Sequence, residues 1–291
     1  MKKYFLLIAN VFIVLFLFGQ GIVKEKQVIN SKILNREVHY SIYLPSDYYT
    51  SERSYPVTYL LHGYGDADDG WIQFGEINRL ADKAIADGTI PPMIIVTPDG
   101  FKSFYINAAD GSFNYEDFFI KELIPNIEKN YKVKSEKRYR GIAGLSMGGY
   151  GSLIYALKYP KLFAAAAPLS AVVWSDTDIS SASDNIYNSL FATSDKKNIK
   201  GMDRINDAWL KNSPLQLIET TSLDDLSSVK YWIDCGDDDY LSIGNVNLHV
   251  AMTTKKVPHE FRVRDGAHNW TYWRTGVIDA LAFIGNSFHQ K

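Results

Sequence analysis

Cysteine is almost absent from this chain. Cys235 is the only one in 291 residues, so no intrachain disulfide can form. Charge is balanced, with 31 Lys and Arg against 33 Asp and Glu, a net charge of −2. That excludes the basic surplus by which a protein holds nucleic acid or an anionic membrane surface. No H-E-x-x-H motif and no cysteine pair is present to suggest zinc. The acidic loop DADDGW (66–71) has neither the length nor the spacing of a calcium loop. Nothing therefore calls for a metal or another cofactor. Internal repeats and low-complexity linkers are missing as well, which leaves one large domain as the simplest organisation for this length.

The first segment stands apart from the rest. Lys2 and Lys3 precede the apolar run FLLIANVFIVLFLF, which meets Gly19-Gln20-Gly21. A positive start, a short apolar stretch and small residues at its end have the form of a secretory signal peptide. The run is short for a membrane span, which needs about 20 apolar residues. No cysteine follows it, which excludes a lipoprotein anchor. The expectation is cleavage near Gly21 and a secreted or periplasmic protein, with no stable membrane association afterwards and one domain over 22–291.

Hydrophobic residues make up 46% of the chain, enough for a substantial core. Strand-like runs recur at 37–45, 57–63, 93–100, 138–146, 163–170, 229–236 and 259–266. Helix-like stretches separate most of them, among them EINRLADKAIADG, YEDFFIKELIPNIEKNY, LSIGNVNLHVAMTTKK and WTYWRTGVIDALAFIGNSF. The alternation predicts an α/β fold with a mostly parallel sheet and helices on both faces. The first run, EVHYSIYLP, alternates in a way that suits an antiparallel edge strand, with His39 in it. Residues 171–212 break the rhythm with many Ser, Asp and Asn, and read as an inserted, lid-like segment that influences substrate choice. Ser213-Pro214 then restarts a helix, with serine at the N-cap and proline at the first position.

The stretch GIAGLSMGGYG (141–151) carries the chemistry. Ser146 lies between an apolar strand pattern and a helix pattern that ends at Pro160, with Gly144 and Gly148 two places to either side. A serine on so sharp a turn leaves no room for side chains at those two positions. This is the G-x-S-x-G nucleophile elbow of the α/β-hydrolase fold. A serine hydroxyl needs a base, and the base needs an orienting acid; in this fold the acid and then the histidine follow the serine along the chain. Of six histidines, His39 and His62 come too early. His249 lies in a helix pattern, His259 opens the last strand behind Pro258, and His289 is in the tail. His268, in RDGAHNWTYW, follows the last strand and is the candidate base. The acid belongs after VKYWIDCG, where Asp237, Asp238 and Asp239 follow one another and Asp234 sits inside the strand. For an oxyanion, the N–H of Met147 and one from LLHGYG (60–65) are the candidates, Tyr64 first and Gly63 next. His62 is more suited to shaping that loop than to acting as a base.

These pieces resemble the esterase D-like branch of the α/β hydrolases, which includes the feruloyl and acetylxylan esterases of carbohydrate esterase family 1. S-formylglutathione hydrolases, siderophore esterases and mycolyltransferases belong to the same branch. The resemblance rests on YLLHGYG, on YEDFFIKELIPNIEKNY leading to GLSMGGYGSL, on DCGDDDYL and on GAHNWTYW, and covers nearly all of 22–291. It implies Asp239, three residues after the strand-ending glycine, as the acid, with Asp238 next. It implies an aromatic pair after the histidine, matched by Trp270 and Trp273. With His62, these two are candidate substrate contacts. The activity implied is serine carboxylic ester hydrolysis through an acyl-enzyme. Together with export, it points to feruloyl or acetyl esters of plant polysaccharide. Siderophore esters and acyl transfer to a sugar are the alternatives. Glu116, Asp117 and Glu122 read as ion-pairing or capping residues.

Overall fold

The computed structural model describes residues 19–191 and 199–288, with the side chains of 189–191 left out. The apolar run of the expected signal peptide lies outside the described residues. Among those described, no helix is long and apolar enough to cross a membrane.

Eight strands form one sheet: β1 (Ile22–Ser31), β2 (Arg36–Leu44), β3 (Val57–Leu61), β4 (Ile94–Pro98), β5 (Arg140–Leu145), β6 (Ala165–Leu169), β7 (Lys230–Gly236) and β8 (Glu260–Arg264). Their order across the sheet is β1-β2-β4-β3-β5-β6-β7-β8. The β1/β2 and β2/β4 pairs are antiparallel, and every later pair is parallel. This is the α/β-hydrolase architecture anticipated from the alternating pattern. β3, β4, β5 and β6 are buried throughout, as expected of strands covered by helices on both faces.

One expectation needs correction. The strand read at 37–45 is not the edge of the sheet. β1, which the sequence reading passed over, pairs along it and takes the edge position. Its sequence, IVKEKQVINS, is charged and largely exposed, as an edge strand should be. It therefore carries too little hydrophobic contrast to register as a strand. β2 is covered on both faces instead. Val38, Tyr40, Ile42 and Leu44 join one core and Tyr43 the other.

Those two cores lie on opposite sides of the sheet. One packs under the continuous helical stretch from Tyr115 to Asn130, the helix Met147–Lys158 and the helix Ser242–Thr254. The other packs under Ile77–Ala86 and the last helix, Trp270–Ser287. Glu116, Asp117 and Glu122 are ion-pairing and hydrogen-bonding residues, as anticipated. Glu116 pairs with Lys158 at 2.7 Å, Asp117 with Lys121 at 3.0 Å, and Glu122 accepts from Ser31 Oγ and the Lys32 and Ile33 N–H groups.

The polar segment between β6 and β7 is more ordered than its composition suggests. It holds short helices at Asp176–Ser181, Asp184–Phe191 and Asp207–Leu210, with Ile179, Tyr187 and Trp209 buried. Ser213 does take the N-cap position of the helix Pro214–Thr220, but its hydroxyl makes no capping bond.

Candidate active site

In a doubly wound sheet, ligands sit at the carboxyl ends of strands where the strand order reverses direction. Here that point is between β3 and β5, whose chain neighbours β4 and β6 lie on opposite sides. Ser146 follows β5 directly, and His62-Gly63-Tyr64 follows β3.

Ser146 occupies a strained backbone conformation, φ 53° and ψ −115°. Such strain in a non-glycine residue costs about 1–3 kcal/mol and persists only where the surroundings impose it. The surroundings are the two glycines and β3. A Cβ on Gly144 would lie 2.5 Å from the Gly148 carbonyl oxygen, and one on Gly148 would lie 2.4 Å from the Leu61 carbonyl oxygen. The elbow closes only without those side chains. It leaves Ser146 8% exposed at the start of the helix Met147–Lys158.

The structure brings three distant residues into one hydrogen-bonded line. His268 Nε2 lies 2.9 Å from Ser146 Oγ, and His268 Nδ1 lies 2.8 Å from Asp239 Oδ2. Asp239 is buried, and its other oxygen accepts from the Leu241 N–H at 2.8 Å. Burial opposes the charge on this carboxyl. Hydrogen bonds from His268, the Leu241 N–H and Ser170 outweigh it and hold the pKa below the ordinary value. Of the three aspartates after β7, Asp239 is the one whose side chain bonds to His268. Asp237 and Asp238 are exposed, and their backbone N–H groups bond to Arg264 and Gly266 on the histidine loop. Asp237 Oδ1 also accepts from the Gly266 N–H at 3.0 Å. The carboxylates of Asp237, Asp238 and Asp265 approach one another, all exposed. Loop clamping accounts for the first of them.

A second set of contacts fixes the loop that carries His268. Asp234, fully buried in β7, accepts two bonds from Arg264, both 2.9 Å, and one from the Tyr272 hydroxyl at 2.6 Å. These bonds tie the end of β8 to the first turn of the last helix, so the residues between them have little freedom.

Two of the oxyanion candidates, Met147 and Gly63, neighbour Ser146. Met147 opens its helix, where the first N–H groups have no intrahelical acceptor. The loop after β3 runs beside it: a Cβ on Gly63 would lie 3.8 Å from Ser146 Cβ. Tyr64 follows, its ring 5.7 Å from Phe104 and under Lys102.

Two of the candidate substrate contacts are buried. His62 is buried, with Nδ1 2.8 Å from the Gly63 carbonyl and Nε2 accepting from the Gly100 N–H at 2.7 Å. Both nitrogens are spent on backbone, so His62 shapes the loop and has no polar atom left for a ligand. Trp273 is buried too; its indole N–H donates to Ser170 Oγ at 3.0 Å, and its ring stands edge-on to His268. Trp270 remains half-buried between Trp71, Phe74 and Trp273. One residue escaped the sequence reading. Tyr240 is 75% exposed, and its ring lies 4.6 Å from that of His268. Only its place directly after the candidate acid could have marked it.

Among the described residues, no other histidine bonds to Ser146, His268 or Asp239. His249 and His259 bond to each other at 2.8 Å, at the amino-terminal end of β8. His39 lies in β2, and His289 lies outside the described residues.

A mostly parallel sheet with a serine elbow and a Ser–His–Asp line at its carboxyl edge defines an α/β-hydrolase of the esterase class. The chain belongs to the putative esterase family, whose model matches residues 31–284. A solved ferulic acid esterase is 32% identical and superimposes with a TM-score of 0.79, over 93% of this chain and 99% of that one. The endo-1,4-beta-xylanase/feruloyl esterase of Xylanibacter ruminicola is 38% identical over 130 residues, which is 42% of this chain and 18% of that protein. Esterase Rv1288 of Mycobacterium tuberculosis is 31% identical over 249 residues, 78% of this chain and 52% of that one. The chain thus spans about half or less of these two relatives. The family agrees with the resemblance to feruloyl and acetylxylan esterases.

Proposed function

We propose that this protein is an exported serine carboxylic ester hydrolase that removes acyl groups, feruloyl or acetyl, from plant polysaccharide. The observation that carries the reading is the line Ser146–His268–Asp239, with Ser146 on the elbow that opens the helix Met147–Lys158.

Each residue then has a role. Ser146 Oγ attacks the ester carbonyl while His268 Nε2 takes its proton. Asp239 holds the Nδ1–H tautomer and stabilises the imidazolium. The negative charge on the carbonyl oxygen is met by the Met147 and Tyr64 N–H groups. The tetrahedral species collapses, the carbon–alkoxy bond breaks, and His268 returns the proton to the departing alcohol. Water repeats the sequence on the acyl-enzyme, frees the acid and restores Ser146.

The acyl preference draws support from the named activities of the similar proteins, ferulic acid and feruloyl esterases. Export rests on the signal-like residues 1–21, and N-terminal sequencing of protein recovered outside the cell should begin near residue 22. The test of activity is hydrolysis of methyl ferulate, p-nitrophenyl acetate, p-nitrophenyl butyrate and acetylated xylan by the chain from about residue 22. At least one ester is expected to turn over, with ferulate or acetylated xylan preferred. Ser146→Ala should lower that rate by about 10⁵-fold or more. Failure on all four esters, or full activity in the alanine variant, would contradict the reading.

A further inference from the structure

We infer that Tyr240 is a platform for the sugar on the alcohol side of the ester. The inference rests on the proposed ester hydrolysis. In that reaction His268 Nε2 delivers its proton to the departing alkoxy oxygen. The alcohol must therefore lie against the imidazole, on the side away from the N–H groups that hold the carbonyl oxygen. Two aromatic rings flank His268. Trp273 is buried, stands edge-on to the imidazole at 4.8 Å and is committed to Ser170. Tyr240 lies 4.6 Å away on the solvent side, inclined by 51° to the imidazole.

Tyr240 is 75% exposed, the most exposed aromatic side chain among the described residues. An aromatic residue left in water at the mouth of an active site forgoes the burial that normally places it in a core. It regains that burial when an apolar face covers it. A sugar ring offers such a face in its axial C–H bonds, while its hydroxyls stay in water. A methyl group is too small to span a tyrosine ring. Tyr240 therefore separates sugar esters from methyl esters that share the same acyl group.

The test compares matched esters. Methyl ferulate is set against feruloyl-arabinose, and methyl acetate against acetylated xylose, each with the wild type, Tyr240→Ala and Tyr240→Trp. Tyr240→Ala is expected to lower kcat/KM about five- to twentyfold for the sugar esters, chiefly through KM. It should leave the methyl esters within about twofold, and Tyr240→Trp should retain the sugar-ester rate. An equal loss on sugar and methyl esters would overturn the inference, because Tyr240 would then act only by positioning His268. No loss on either would overturn it as well. Both of those outcomes leave ester hydrolysis standing. A wild type inert toward all four esters would overturn the proposed function and this inference together.

Discussion

The indole N–H of Trp273 donates to Ser170 Oγ at 3.0 Å, while the same ring meets the imidazole of His268 edge-on. Ser170 helps hold the Asp239 carboxyl below its ordinary value and has a left-handed backbone, φ 46°. One buried aromatic residue thus touches the candidate base and, through a serine, the candidate acid. Trp273→Phe keeps the ring and removes the donor. Expected is a fall in kcat of about three- to tenfold with KM nearly unchanged, since Trp273 is buried and its N–H is spent on Ser170. Steady-state kinetics on one ester checks both numbers.

The elbow tolerates no added carbon at Gly148. An alanine methyl there would meet the Leu61 and His62 carbonyl oxygens, both fixed in backbone. Gly148→Ala should lose about 3 kcal/mol or more of stability, or fail to fold. Gly88 has a positive φ but nothing within 4 Å of the added carbon. Gly88→Ala should cost about 1 kcal/mol, from backbone strain alone. Urea unfolding of the two variants side by side gives the comparison.

Asp239 links activity and stability to pH in a definite direction. Its carboxyl is held below the ordinary value of 3.8 in the folded state. The carboxylate then contributes stability that is fully present above that ordinary value. The contribution fades as pH falls through the lower folded value. Asp239→Asn should therefore melt below the wild type at pH 6–7, and the gap should close toward pH 3. The same variant should lose about 10³- to 10⁴-fold in kcat, since the imidazole loses its tautomer and its counter-charge. Thermal melts across pH, paired with kinetics at neutral pH, test both parts.

Cys235 is buried in β7, and burial together with the Asp239 charge pushes its thiol up to about 12. A thiol reagent at pH 8 should leave it unmodified in the native protein and react once the chain is unfolded in guanidinium. Rapid native-state labelling would show that the β7 end of the site opens to solvent.

Much of this arrangement was legible in the sequence, and for local reasons. The strands β3 to β7 announce themselves as apolar runs, and β2 and β8 by the alternation of apolar and polar residues. Ser146 is marked by glycines that sit within two residues of it. His268 is isolated by elimination along the chain order. β1 was missed because an exposed, charged edge strand carries no strong hydrophobic period. Asp239 could not be separated from Asp238 by composition; the family resemblance ranked it first, and its side chain is the one that bonds to His268. The turn of Trp273 inward, the enclosure of His62 and the exposure of Tyr240 are set by contacts between segments far apart in sequence. No local pattern encodes them.

The central claim is that Ser146 is the nucleophile and His268 its base. It is tested most directly by mapping a fluorophosphonate adduct by mass spectrometry on the intact chain. The account predicts one adduct, on the peptide carrying Ser146, absent in Ser146→Ala and formed far more slowly in His268→Ala. An unmodified Ser146, or labelling that persists undiminished in the His268 variant, would contradict it.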